Sequence, residues 1–125
     1  MSHDEVKQVI SNYFAATRAM DLETWLQTFA EDAVSYEPES PVLKGHTALT
    51  QFFQNIKSAF ETVGLTEDSL FITGNQVAVK WTGNGISKNG RQVKFEGIDV
   101  FEVNATGKIQ RMWAYWNPGL MMAQL

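Results

Sequence analysis

Asp99 is a carboxylic acid in the middle of an otherwise apolar strand pattern that runs from Lys94 to Phe101. Because strand side chains alternate between two faces, Asp99 is expected to share its face with Phe95 and Phe101. A carboxyl group removed from water has a raised pKa, so it can stay protonated at neutral pH and donate a hydrogen bond. Asp99 is therefore a candidate for binding an oxyanion. The alternative is a structural aspartate, satisfied by a lysine or by backbone amides.

Tyr13 and Glu37 are placed where they could join Asp99 in a buried site. Tyr13 lies on the apolar stripe of a predicted helix, and Glu37 directly precedes a turn that Pro38 and Pro41 impose. His46 is interpreted as a residue at the start of a helix rather than as a catalytic base. The residues alone leave the roles of Tyr13 and Glu37 open.

Composition limits what the chain can do. Its 125 residues, 44% of them hydrophobic, fit a single compact domain over residues 1–125. With no cysteine and two histidines, we expect no metal site. A net charge of −4 argues against binding to nucleic acid or anionic lipid. The polar N-terminus and the lack of a run of roughly 18 apolar residues predict a cytoplasmic protein outside the membrane.

The periodicity of apolar residues predicts three helices followed by strands. Helices are expected over about residues 3–20, from Asp21 onward, and from Gly45 to Phe60, with a short extended segment at Ala33–Glu37 between the second and third. Strands are expected at residues 70–72, 77–82, 93–103 and 109–116, with a hairpin turn at Asn89-Gly90. This order predicts an α+β fold with three N-terminal helices packed across one face of an antiparallel sheet.

The register of the hairpin at Asn89-Gly90 decides whether Asp99 can be neutral. A strict two-residue turn would place Lys80 opposite Asp99, where the ammonium group would lower the pKa of the carboxyl. A bulge at Gly83-Asn84-Gly85 would instead turn Lys80 outward and bring Val79 and Trp81 inward. We favour the bulge.

The other face of the sheet is predicted to be apolar as well. In the last strand, Ile109, Trp113 and Tyr115 alternate with inward residues, and Ile98 and Val100 lie behind Asp99. The helices cover only one face of the sheet, so in a small domain an apolar outer face needs another protein surface to shield it from water. We therefore expect a homodimer formed through the outer face.

Three segments together resemble bacterial ketosteroid isomerases. They are Val9–Ala16 with Asp21-Leu22, Phe29–Ala33 with Glu37-Pro38, and Ile98–Phe101 with Gln110–Trp116. The resemblance spans nearly the whole chain, and the wider group of SnoaL-like polyketide cyclases and nuclear-transport-factor-like proteins shares the fold. It implies a strongly curved sheet closed by the helices into a cone, with a deep apolar pocket.

The resemblance also implies a mechanism that needs no cofactor. Glu37 would take a proton beside the ketone of a steroid-like substrate, and Tyr13 and neutral Asp99 would bind the resulting oxyanion, as in the family. The expected ligand is thus a small apolar ketone. Substrate contacts are expected from four residues, although Met112 and Trp116 could equally be plain core residues: Phe53, Phe101, Met112 and Trp116.

The chain departs from the family in two ways. The family's base is an aspartate, and Glu37 is longer by one methylene, which moves the carboxylate by on the order of 1 Å. Phe29 and Phe53 stand where some relatives have tyrosines that support the catalytic one. Three alternatives therefore stay open: a SnoaL-like polyketide cyclase, another proton-transfer enzyme such as a dehydratase, and a dimer that only binds an apolar ligand. An epoxide hydrolase fits less well, because the strand carboxylates it pairs with an arginine are missing.

Overall fold

The computed structural model describes all residues, 1–125, as helices packed on one curved sheet. The elements in chain order are α1 (His3–Ala19), α2 (Leu22–Gln27), β1 (Phe29–Tyr36), β2 (Leu43–Lys44), α3 (Gly45–Lys57), β3 (Phe60–Thr73), β4 (Gln76–Ser87), β5 (Gln92–Val103), β6 (Ile109–Trp116) and α4 (Pro118–Met122). The strands form one sheet in the order β2-β1-β6-β5-β4-β3. The predicted α+β fold is confirmed, with one refinement: β1 pairs with β6 in parallel, and every other neighbouring pair is antiparallel.

The first two helices begin where their capping residues stand. Ser2 and Glu5 form a reciprocal capping box at the start of α1, and the Asp21 side chain accepts a hydrogen bond from the Thr24 amide at the start of α2. The buried stripe of α1 includes Ile10 and Tyr13. The helix start signals therefore fix which face of α1 turns toward the sheet.

The structure corrects the predicted end of the third helix. α3 ends at Lys57, and Phe60 is the first residue of β3, where it packs with Val93 and Met121 in a small cluster of its own. The helical spacing of Phe60 was thus a coincidence of a strand that starts close behind a helix. The short β2 and the C-terminal α4 were not predicted, and β3 and β4 are much longer than expected.

Lys80 points away from Asp99, as expected, but for a different reason. The loop between β4 and β5 has three residues, since the Ser87 amide donates to the Arg91 carbonyl and Gly90 adopts a φ of 79°. The pairing of β4 with β5 then runs without a bulge, which places Val79 opposite Asp99. The expected bulge at residues 83–85 is wrong. Lys80 Nζ instead lies on the outer side, 3.6 Å from carboxylate oxygens of both Asp68 and Glu96.

Ile109 is also placed differently from the prediction. It was expected on the outer face with Trp113 and Tyr115, but it is fully buried in the core. The pairing of β5 with β6 shifts between Glu102 and Val103, so the alternation of faces breaks just beyond Ile109. No helix of the structure has both the length and the apolar character needed to cross a membrane.

Candidate functional site

An apolar cavity lies between the inner face of the sheet and the helices. It encloses about 700 Å³ when its open mouth is included. Of its 18 lining residues, 13 are hydrophobic, which makes it a site for an apolar ligand. Tyr13, Glu37 and Asp99, which lie far apart in the sequence, all line this cavity.

Asp99 projects into the cavity from the middle of the sheet. Its neighbours on the adjacent strands are Val79 and Ala114, neither of which offers a side-chain hydrogen bond. The side chain is 2% exposed, and Oδ1 has no hydrogen-bond partner. Burial raises the pKa of Asp99 well above its ordinary value, the nearby Glu37 carboxyl raises it further, and the Trp81 indole opposes the rise in part. These surroundings favour the protonated form of Asp99, which can donate a hydrogen bond.

Glu37 follows the last residue of β1 and is held by a tryptophan. The Trp116 indole Nε1–H donates a hydrogen bond of 2.9 Å to Glu37 Oε1. Burial raises the pKa of Glu37 to about 7, and the bond from Trp116 acts in the opposite direction because it favours the charged form. Glu37 can thus exchange a proton near neutral pH.

Tyr13 reaches the cavity from the third turn of α1 and is packed among aromatic rings. Its ring centroid lies 5.0 Å from that of Phe101 and 5.8 Å from that of Phe29, both in edge-on geometry. Burial, followed by the charges of Asp99 and Glu37, raises the pKa of Tyr13 well above its ordinary value, while the Trp25 indole lowers it in part. Tyr13 is therefore a neutral phenol that can donate a hydrogen bond.

Two tryptophans meet over a single glycine beside Asp99. Gly97 pairs with Trp81 on β4 and with Trp116 on β6, so the three residues form one row across the sheet. A Cβ atom at Gly97 would lie 2.5 Å from Trp81 Cζ2 and 2.7 Å from Trp116 Cβ. Both indoles line the cavity only because position 97 carries no side chain.

The four expected substrate contacts divide into two pairs. Phe53 and Trp116 line the cavity. Phe101 and Met112 do not: they are 0% and 1% exposed and belong to the hydrophobic core, so the expectation that they touch a substrate is corrected. Both do point to the inner face of the sheet, but other side chains cover them.

Several lining residues were not singled out from the sequence. Trp25 comes from α2, Phe95 from β5, and Met121 from α4, which closes one end of the cavity. A signal for α4 was present, because Asn117 is a capping residue and Pro118 stands at the first helical position. His46 lies outside the cavity, and its Nε2 is 3.1 Å from the Phe29 carbonyl oxygen. No group of three or more His, Cys, Asp or Glu side chains is arranged to hold a metal ion.

Comparison with known families agrees with this arrangement of helices and sheet. Residues 10–112, well over half of the chain, match the SnoaL-like domain family. The chain belongs to the SnoaL-like family. This confirms the wider group suggested by the sequence, and does not by itself single out the ketosteroid isomerases within it.

Solved structures show the same SnoaL-like fold at low sequence identity. A candidate polyketide cyclase from Xanthomonas campestris pv. campestris superposes with a TM-score of 0.85 at 21% identity, over 97% of this chain and 96% of that one. SalBIII, an epoxide hydrolase/cyclase-like enzyme of pyran ring formation in salinomycin, gives a TM-score of 0.81 at 23% identity over 94% of both chains. An LEH-like epoxide hydrolase from M. tuberculosis gives 0.79 at 18% identity, over 98% and 90%. At these identities the likeness extends to the fold alone.

Proposed function

We propose that this SnoaL-like protein is a cofactor-independent enzyme that moves a proton at the carbon next to a ketone in an apolar substrate. The observation that carries the proposal is a pair of carboxyl groups with different proton affinities in one apolar cavity. Glu37, with a pKa of about 7, can act as the base, whereas Asp99 stays protonated and can act as a donor.

The proton transfer proceeds in two steps. Glu37 takes the proton from the α carbon, the C–H bond breaks, and negative charge develops on the ketone oxygen. Tyr13 and neutral Asp99 donate hydrogen bonds to that oxygen in a mostly apolar cavity, where such bonds stabilise charge more than they do in water. Glu37 then returns the proton to the γ carbon, and the double bond comes into conjugation with the restored carbonyl.

The substrate class follows from the lining of the cavity. Apart from the acids and Tyr13, the walls are mostly hydrophobic, so the ligand is held by apolar contact and oriented by its oxygen. We propose a β,γ-unsaturated, steroid-like ketone. The longer side chain of Glu37 is compensated by Trp116, whose indole fixes the carboxylate in place.

A second candidate is a SnoaL-like cyclase. It is favoured by two structures of the same fold, the candidate polyketide cyclase and SalBIII. The same three residues would then form an enolate that attacks a second carbonyl within the substrate, rather than one that is protonated again at the γ carbon. A protein that only binds an apolar ligand is the non-enzymatic alternative.

The deciding experiment follows conversion of a β,γ-unsaturated 3-ketosteroid into its conjugated isomer by absorbance. Replacing Glu37 by Gln is expected to lower kcat at least about a hundredfold, because the general base is lost. The Glu37→Asp variant is the control, since it retains a carboxylate. Absence of turnover in the parent protein would refute the isomerase and leave the cyclase or the binding protein.

We also propose that two copies of the chain pair through the outer face of the sheet. A row of apolar side chains crosses five strands on that face, through Phe71, Ala78, Val100, Trp113 and Tyr36. The Trp113 and Tyr36 rings stack at 5.7 Å, and Phe71 is 74% exposed. The next row adds Ile98 and Tyr115, which are 47% and 60% exposed. An exposed apolar surface in a small domain is typical of an interface, and a second copy of the chain would present the same apolar surface to it.

A further inference from the structure

Two polar atoms inside the protein have no hydrogen-bond partner, and they are Trp81 Nε1 and Asp99 Oδ1. Trp81 is 2% exposed and lines the cavity. A buried N–H without a partner costs free energy, so such groups are rare in folded proteins unless a ligand satisfies them. The mechanism derived above makes no use of the Trp81 indole.

The position of the indole brings its N–H close to Asp99. Trp81 Cζ2 would be 2.5 Å from a Cβ atom at Gly97, so this edge of the ring lies directly over Gly97. Nε1 is two bonds from Cζ2 on the same edge, and Gly97 and Asp99 are successive inward positions of β5. The indole lowers the pKa of Asp99 in part, as a nearby N–H donor does, although Nε1 and Asp99 Oδ1 do not reach hydrogen-bond geometry.

Trp116, the second tryptophan of the row, has an indole N–H that does find a hydrogen-bond partner. Trp116 Nε1 donates to Glu37, and Trp81 Nε1 donates to no atom of the chain. The rings themselves are held in similar ways: Trp81 packs edge-on against Phe95 at 5.7 Å and lies 6.4 Å from Trp116. A fixed ring with a free donor facing the acids is preorganised for a ligand oxygen.

We propose that the Trp81 indole N–H is a third donor to the substrate oxygen, beside Tyr13 and Asp99. This inference rests on the proposed function and deepens it. A ketone oxygen has two lone pairs, which Tyr13 and Asp99 already use, whereas an enolate or phenolate oxygen carries more electron density and accepts a third bond. The third donor therefore favours the charged intermediate over the neutral substrate, and that difference is what accelerates a reaction.

The test compares two aromatic ligands of nearly equal size, 2-naphthol and naphthalene, in the parent protein and in the Trp81→Phe variant at about pH 10, where a substantial fraction of a phenol is the phenolate. Loss of one hydrogen bond is expected to weaken 2-naphthol binding about five- to tenfold. Naphthalene has no oxygen, so its affinity is expected to change less than about twofold. An equal loss for both ligands would show a packing role, and no loss for either would show that the indole N–H does not bind the ligand; either result would overturn the proposal.

A second measurement does not depend on how well the variant folds. In the unmodified protein, the indole N–H proton of Trp81 is followed by NMR and assigned through the contact of its ring edge with Gly97, which Trp116 approaches with Cβ instead. Its signal is expected to move downfield with 2-naphthol and to stay in place with naphthalene. An unchanged signal with bound 2-naphthol would refute the third donor.

Binding of 2-naphthol requires no turnover, so the two proposals fail separately. An inactive parent protein whose naphthol binding still depends on Trp81 would refute the isomerase and keep the third donor. An active parent protein whose naphthol and naphthalene affinities change equally in Trp81→Phe would support the isomerase and refute the third donor.

Discussion

Glu37 and Asp99 are both carboxyl groups in the same cavity, and their different surroundings give them different pKa values. Glu37 accepts a bond from the Trp116 indole, which supports its charged form, while Asp99 Oδ1 accepts none. Burial acts on both, but only Glu37 retains a pKa near neutrality. The Glu37 charge raises the pKa of Asp99 further, whereas the Trp116 indole lowers that of Glu37, so Glu37 is the better candidate for the base.

The pH dependence of the reaction is expected to report Glu37. Only the ionised form takes a proton, so kcat/KM should rise with pH and reach half of its maximum near pH 7. The Trp116→Phe variant loses the bond that lowers the pKa of Glu37, so its rising limb is expected at higher pH. The measurement is kcat/KM from about pH 5 to about pH 9. A loss of equal size at every pH would contradict this role of Trp116.

Asp99 is expected to lower the free energy of unfolding at neutral pH. Its pKa is raised in the folded state, so the folded protein binds more protons, and stability falls as pH rises above the ordinary pKa of 3.8 toward the folded value. Asp99→Asn removes this cost, and its melting temperature is expected to exceed that of the parent by a few degrees at about pH 8, and by less at about pH 4. The exposed Glu61→Gln is the control. A pH-independent difference for Asp99→Asn would count against a neutral Asp99.

Helix and strand periods placed Tyr13 and Asp99 on inward faces, and the resemblance to ketosteroid isomerases added Glu37 to the same predicted site. The sequence was not enough to tell how deeply each inward side chain is buried. Phe101 and Met112 share the inner face with Asp99, yet other side chains cover them, and only the packing of the whole chain decides that. That the Trp81 indole N–H has no hydrogen-bond partner likewise depends on the packing of the whole chain and could not be read from the sequence.

At the scale of elements, Gly97 allows β4, β5 and β6 to carry two indoles side by side. Any side chain at this position would meet Trp81, Trp116 and the Tyr115 carbonyl oxygen, which lies 2.6 Å from the Cβ position. Backbone cannot move aside cheaply in the centre of a sheet. The local shape of the cavity therefore depends on the absence of one methyl group.

Gly97→Ala is expected to destabilise the protein by about 1–3 kcal/mol and to weaken binding of 2-naphthol, because the two indoles must separate. Gly74→Ala is the matched control. Its Cβ would meet nothing within 4 Å, and its φ of 59° costs about 1 kcal/mol by backbone strain alone. Denaturant unfolding and ligand titration measure the two effects. Unaltered naphthol binding in Gly97→Ala would contradict this account of the site.

The elements predicted from the sequence are those with strong periodicity. α1 and the start of α2 followed from their caps and apolar spacing, whereas the first half of β3 was missed because it is rich in polar and half-exposed residues. The hairpin loop was misjudged for a different reason: Asn89-Gly90 fits a two-residue turn and equally a three-residue loop with glycine at positive φ. Local sequence alone does not separate these.

At the scale of the whole molecule, the outer face of the sheet should determine the oligomeric state. The parent chain is expected to have twice the mass of 14.1 kDa in solution, and Trp113→Asp should convert it to a monomer by placing a charge in the centre of the apolar row. Light scattering after size exclusion measures both. The control is Gln51→Asp on the exposed face of α3. A monomeric parent protein would refute the dimer.

The two tryptophans that meet over Gly97 have an optical consequence. The chain has four tryptophans, and Trp81 and Trp116 form part of the cavity wall. Trp25 lines the cavity too, and indole emission depends on the immediate surroundings of the ring, so a ligand in the cavity alters the fluorescence of three of the four tryptophans. The unlabelled protein therefore contains its own sensor of occupancy, and a collection of compounds can be screened against it before any substrate is known.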